Sequence, residues 1–203
     1  MLGSLKWNDL GSIIYTLSHV PLLSSPEEWE EIIGLFLARA QQDFDQERII
    51  KGVTSLSLAQ VQSRTDFWID IFLLVAERLS PEGLDPFLKM NLLWSMARNR
   101  TAIQDSTFDH LTSMVVGPLA KDLDGFFRSN REALLINFLP NLAWSVDSLH
   151  LNDEALWTSI DRLVLKVSSS FNINQLASLM LVYKARSPRV AQSLLERFSS
   201  LPR

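Results

Sequence analysis

The chain predicts an all-α fold, an α-solenoid of about five helix-turn-helix repeats of roughly 39–40 residues with an insertion between the third and fourth. Three observations predict it. The core Leu92-Leu93-Trp94-Ser95-Met96 recurs as Leu142-Ala143-Trp144-Ser145-Val146, 50 residues on. Anchored on those tryptophans, Tyr15, Thr54, Trp94, Trp144 and Tyr183 fall in line at steps of 39, 40, 50 and 39 residues. A second aromatic series keeps time with the first: Trp29, Trp68 and Phe108 lie 14 residues after their anchors and Trp157 lies 13 after. The fifth unit is out of step, with Arg197 at the 14-residue offset and Phe198 one place later. No apolar-polar alternation reads as a strand.

Each unit reads as two helices. In the first, Leu10, Ile13, Ile14 and Leu17 have helical spacing and Pro21 stops the run. Ser25-Pro26-Glu27-Glu28 then opens a second helix: serine caps, proline fits the first position, and the carboxylates face the positive end of the dipole. Its stripe is Trp29, Ile32, Ile33, Phe36 and Leu37. The second unit runs Ile49 to Leu56, then from Thr65-Asp66 through Trp68, Ile71, Phe72 and Val75. The third runs Phe87 to Met96, then from an Asp105-Ser106-Thr107 cap through Phe108, Leu111 and Val115. The fourth runs Leu142 to Leu149, then from Asn152-Asp153-Glu154 through Trp157, Ile160 and Leu163. In the fifth, Asn174 is expected to cap Leu176 to Tyr183, and Ser187-Pro188 opens the last helix.

The expected organisation is a single helical-repeat domain over 1–203, with repeats at approximately 7–42, 45–80, 84–120, 131–169 and 172–200. The long step places an insertion between Phe108 and Trp144. Lys121-Asp122-Leu123-Asp124-Gly125 reads as a turn, and Pro140 either starts the fourth anchor helix or kinks a longer one. The anchors Tyr15, Trp29, Trp68, Trp94, Phe108, Trp144, Trp157 and Tyr183 are expected to be core residues that bury one hairpin against the next, because a lone hairpin cannot cover its apolar face.

Composition narrows the chemistry. The chain has no cysteine, which excludes disulfides, thiolate metal sites and a cysteine nucleophile. Residues 1–100 hold nine Lys/Arg against thirteen Asp/Glu, and 101–203 hold ten against ten, so there is no bulk attraction for polyphosphate. No apolar run reaches membrane-spanning length. Neither a signal peptide nor an Arg-rich transit peptide is read at the start. There is no glycine-rich phosphate loop and no Gly-x-Ser-x-Gly elbow, and no cofactor or metal is expected. His19, His110 and His150 stand apart; the first and last fall at helix ends, where histidine caps carbonyls. No catalytic constellation emerges, and the expectation is a protein that is not an enzyme and takes no small-molecule substrate.

The remaining candidates are cations. Arg98 and Arg100 follow the third anchor helix, Arg128 and Arg131 fall in the insertion, and Lys184, Arg186 and Arg189 lie between the last two helices. If the turns align along one edge, these seven form a discontinuous basic strip for RNA phosphates.

Asn91-Leu92-Leu93-Trp94-Ser95-Met96-Ala97, Asn141-Leu142-Ala143-Trp144-Ser145-Val146 and, less closely, Gln175-Leu176-Ala177-Ser178-Leu179-Met180 resemble the cores of octotricopeptide and heptatricopeptide repeats. These repeats occur in FAST-kinase-like and RAP-domain proteins. The resemblance implies a mitochondrial or plastid setting and a non-enzymatic subunit of an RNA–protein assembly, such as a ribosome or RNA-processing complex. Its partners would be other protein subunits and, at a few arginines, RNA. A scaffold that binds only protein is the alternative.

Overall fold

The computed structural model describes residues 6–20, 25–59, 65–129 and 131–200. Among these the chain is all-helical, with no strand. The α-helices are α1 (Trp7–His19), α2 (Pro26–Gln42), α3 (Gln46–Leu58), α4 (Thr65–Arg78), α5 (Pro86–Arg98), α6 (Asp105–Arg128), α7 (Leu139–Ser148), α8 (Glu154–Val167), α9 (Ile173–Arg186) and α10 (Pro188–Ser199). No described helix is long and apolar enough to cross a membrane. Pro21, Gln60, Arg64 and the 201–203 end lie outside the described residues.

Local chemistry sets most boundaries. Ser25 Oγ accepts from the Glu28 amide while the Glu28 carboxylate accepts from the Ser25 amide, a reciprocal cap, with Pro26 in the first turn. Asp45, Asp85 and Asp153 cap α3, α5 and α8. The α9 cap is Asn172, paired reciprocally with Gln175, two residues before the expected Asn174. Pro140 lies in the first turn of α7 and so starts that helix. At its other end Leu151 N–H donates to Val146 O and His150 N–H to Asp147 O, closing a Schellman turn. His150 occupies the left-handed position with φ 52°, so it ends the helix through its backbone rather than its imidazole. His19 caps through its ring, with Nδ1 2.8 Å from Tyr15 O.

The expected turn at Lys121–Gly125 is helix. α6 runs unbroken from Asp105 to Arg128 and carries Pro118 inside it. Val115, Leu119 and Leu123 are fully buried at four-residue spacing, so the apolar row crosses the polar stretch, and Asp124 is held by Arg128 and Arg162.

The chain divides into two compact units after Thr112. In the first, α1 packs on α3 and α3 on α5, while α2 packs on α4. Its core carries an aromatic chain: Trp7 meets Phe36 edge-on at 5.7 Å, Phe36 meets Phe67 at 6.3 Å, Phe67 meets Trp68 at 5.0 Å, and Trp68 stacks on Phe72 at 6.0 Å. Gly52 of α3 lies directly against the Phe36 ring; a Cβ there would stand 2.3 Å from Phe36 Cε2. In the second unit α9 packs on α7, and α10 on α8 and α9.

Polar cross-links repeat along both units. Arg78 of α4 donates to Gln41 O at the end of α2, 37 residues back. Arg98 of α5 donates to Ser57 O at the end of α3, 41 back, and Lys166 of α8 to Phe127 O at the end of α6, 39 back. Each places a cation on the negative end of an earlier helix. Ser95 reaches Thr54, Ser159 reaches Ala120 O, and Gln175 reaches Ile136 O at similar separations. These contacts align α2 with α4, α3 with α5, α6 with α8 and α7 with α9 in parallel.

The anchor expectation is corrected in part. Trp29, Trp68, Phe108, Trp157 and Tyr183 are buried as expected. Tyr15 is 61% exposed, Trp144 is 37% exposed and Trp94 is half-buried. The buried members of the repeated core are its neighbours, Leu92, Leu93, Ser95 and Met96 in α5 and Leu142, Ala143, Ser145 and Val146 in α7. Trp94 falls with Phe87, Asn91 and Arg98 on the one row of α5 left open, as 100° per residue requires. The serine after each tryptophan is fully buried and donates back one turn, Ser95 to Asn91 O at 2.8 Å and Ser145 to Asn141 O at 2.6 Å.

Two stability outcomes are expected in urea unfolding. Gly52→Ala drives a methyl into the Phe36 ring and destabilises by about 1–3 kcal/mol, partly offset by the alanine's better helix propensity; in a Phe36→Leu background, itself destabilised by lost core packing, the same substitution costs less. His150→Gly relieves the left-handed position and stabilises by about 0.5–1 kcal/mol.

Candidate nucleic-acid interface

The structure distributes the seven candidate cations unequally. Arg98 ends α5 exposed, its Nε held by Ser57 O at 3.1 Å and its guanidinium 5.2 Å from the Trp94 ring centre. Arg100 is committed: it donates to Ile103 O at 3.0 Å and to Asp105 Oδ1 at 2.6 Å, and lies 4.1 Å above the Phe108 ring. Arg128 pairs with Asp124, whose other oxygen takes Arg162 at 3.0 Å. Arg131 stands 5.8 Å from the Phe126 ring centre. Lys184, Arg186 and Arg189 surround the α9–α10 turn; Arg186 lies 3.6 Å above Trp157, while Lys184 and Arg189 are exposed and pair with no described residue.

Arg128 and Arg131 do not join the α9–α10 group. Lys166, in the last turn of α8, reaches both Phe127 O and Glu132, so the end of α6 sits beside the end of α8. Arg186 covers Trp157 in the first turn of α8. Nine residues of helix, about 14 Å, separate the two places.

What sequence reasoning missed is a groove across α1, α3 and α5 in the first unit, with a volume of ≈ 900 Å³ and lined by Ser12, Tyr15, Lys51, Thr54, Ser55 and Asn91 among others. Its signal was present as the polar open row of each helix: Asn8, Ser12 and Thr16, then Glu47 and Lys51, then Asn91. Its charges cancel internally. Lys51 binds Glu47 at 2.5 Å and Arg48 binds Asp45 at 3.3 Å. The exposed Tyr15 ring lies 4.4 Å from that of His19, and Trp94 follows Asn91 by one turn on the same face. The groove offers aromatic faces, hydroxyls and amides, with Arg98 at the end of the Trp94 row. That set suits stacking and hydrogen bonding to unpaired bases better than phosphate capture.

In the second unit, Asp161 accepts from the Tyr183 hydroxyl at 2.7 Å, and Trp157 meets Tyr183 edge-on at 6.3 Å beneath Arg186. Half-burial pushes the Asp161 carboxyl above its ordinary value, against the pull of the Tyr183 hydrogen bond and Arg186. Burial, and then the Asp161 charge, push the Tyr183 phenol far up. Tyr183 therefore stays a neutral donor.

Among the described residues no cluster of three or more His, Asp or Glu is placed to hold a metal ion. No protein family matches the chain, and no curated protein or solved structure is similar to it.

A raised carboxyl pKa means the folded state holds the proton more tightly. Stability then falls as pH rises from the ordinary value near 3.8 through the raised one. Asp161→Asn keeps an acceptor for Tyr183 and removes that loss. Relative to wild type, the variant should gain stability as pH rises through the window and hold a constant difference above it, as read by urea unfolding from about pH 3.5 to about pH 7.

Proposed function

We propose that the chain is a non-enzymatic helical-repeat subunit of an RNA–protein assembly, contacting protein over much of its surface and single-stranded RNA at the open face of α1, α3 and α5. The observation that carries this reading is an exposed aromatic ring in a polar groove. Tyr15, 61% exposed, lines the groove, and the half-buried Trp94 follows Asn91 of its lining by one turn, with Arg98 over its ring. The 37–41-residue offsets of the inter-helix contacts suit a solenoid built on a step near 39. The organellar setting, mitochondrion or plastid, rests on the resemblance of Asn91–Ala97 and Asn141–Val146 to octotricopeptide and heptatricopeptide cores.

A scaffold with no direct RNA contact is the second reading, and the internal cancellation of charge in the groove favours it. Fluorescence anisotropy of a labelled oligouridine against the purified chain separates the two. The RNA reading expects binding that weakens with salt. It expects Trp94→Ala to lose about tenfold or more, the value of one stacked base, and Arg98→Glu to weaken binding and also lower the melting temperature, because Arg98 Nε holds Ser57 O; Arg98→Gln, which keeps a donor for that carbonyl, weakens binding at a smaller thermal cost. Arg100→Glu lowers the melting temperature without changing binding, because its partners are internal. No binding at low salt, or binding indifferent to Trp94 and Arg98, leaves the protein scaffold.

A further inference from the structure

The last two helices leave an apolar groove uncovered. α9 spends one face on α7, and α10 spends one face on α8. Their opposite faces meet in a groove of ≈ 500 Å³ lined by Ala177, Met180, Leu181, Ala191, Leu195 and Phe198, with Lys184 at the turn end. Leu181 is 80% exposed, Leu195 44% and Phe198 36%. From Pro188 to Phe198 the floor is about 15 Å long, the span of three helical turns.

Charge says what fits it. Residues 173–200 carry Lys184, Arg186, Arg189 and Arg197 against Glu196, a net charge of +3 in a chain whose total is −4. Two of these cations are already engaged, Arg186 over Trp157 and Arg197 at Ser169 O. Lys184 and Arg189 remain exposed beside the α9–α10 turn, pairing with no described residue. Glu196, the one carboxylate here, accepts from Gln192 of its own helix at 2.9 Å. A second copy would bring another +3 surface to this one and place cations against cations. RNA would find its phosphate contacts but would leave the leucines and Phe198 wet.

We propose that the α9–α10 groove receives an amphipathic helix of a partner protein, its apolar row on Leu181, Leu195 and Phe198 and its acidic residues on Lys184 and Arg189. Binding of this kind is helix-in-groove recognition, read by residues at i, i+3, i+4 and i+7. The opposite charges steer the helix and fix its direction along the groove, because Lys184 and Arg189 sit at the turn end while Arg197 at the other end is taken by Ser169 O. The assignment stands apart from the RNA reading, which concerns α1, α3 and α5.

The test uses the full chain and a fluorescein-labelled peptide of about four helical turns, with leucines at i, i+3, i+4 and i+7 and glutamates on one end of the flanks. A second peptide carries lysines in place of the glutamates. Anisotropy should show saturable binding of the acidic peptide and at least about tenfold weaker binding of the basic one. Leu181→Asp, which touches a side chain already in solvent, should abolish binding without changing the helical circular dichroism or the melting temperature. Lys184→Glu with Arg189→Glu should reverse the preference between the peptides.

Three results would overturn the proposal. One is no binding, or equal binding of both peptides. Another is sedimentation showing a dimer that Leu181→Asp dissolves, which would make a second copy the occupant. The third is oligouridine binding lost with Lys184→Glu yet indifferent to Leu181→Asp, which would return the cations to RNA.

Discussion

The structure depends on parallel stacking of alternate helices at a near-constant chain offset. Helix burial alone does not fix how far one helix slides along another. The fixed element is a side chain near a helix C-terminus reaching the last carbonyls of the helix two places earlier: Arg78 to Gln41, Arg98 to Ser57, Lys166 to Phe127. Those carbonyls have no partner inside their own helix and carry the negative end of its dipole, so a cation there does two jobs. The contact also sets a register, since a slip of one residue moves the donor away from the helix end.

That constraint explains why Arg98 and Arg100 differ although they are two residues apart. Arg98 spends only its Nε on Ser57 and leaves its outer nitrogens beside Trp94. Arg100 is consumed by Ile103 O, Asp105 and the Phe108 face, which together lock the link between α5 and α6. A basic residue at a helix end is a structural part until its partners are counted. The same accounting retires Arg128, held by Asp124, and leaves Lys184 and Arg189 as cations without an internal task.

Helix identity was legible wherever two independent signals agreed. Ser25-Pro26-Glu27-Glu28 announces both a cap and a first turn, and α2 begins there. Where signals conflicted, composition misled. Lys121–Gly125 has the residues of a turn, yet Leu119 and Leu123 keep the four-residue row of α6 and the burial of that row wins. The α9 cap was displaced by two residues because Asn172 and Asn174 are both competent; Asn172 is the one with Gln175 three places on to complete the reciprocal pair.

The tryptophans of the repeated core, Trp94 half-buried and Trp144 37% exposed, show the harder limit. Recurrence at a fixed step says that a residue occupies an equivalent place in each unit; it does not say which side of the helix that place faces. In Leu-Leu-Trp-Ser-Met every residue but Trp94 is fully buried, so the helix already covers most of its circumference, and the tryptophan takes the remaining sector. The polar contact with α3 is made by Ser95, whose hydroxyl donates to Thr54 Oγ1, while the half-buried Trp94 ring lies at the edge of that packing. Its ring carries the Arg98 guanidinium 5.2 Å from its centre, and Asn91, one turn earlier on the same row, lines the groove along α1, α3 and α5.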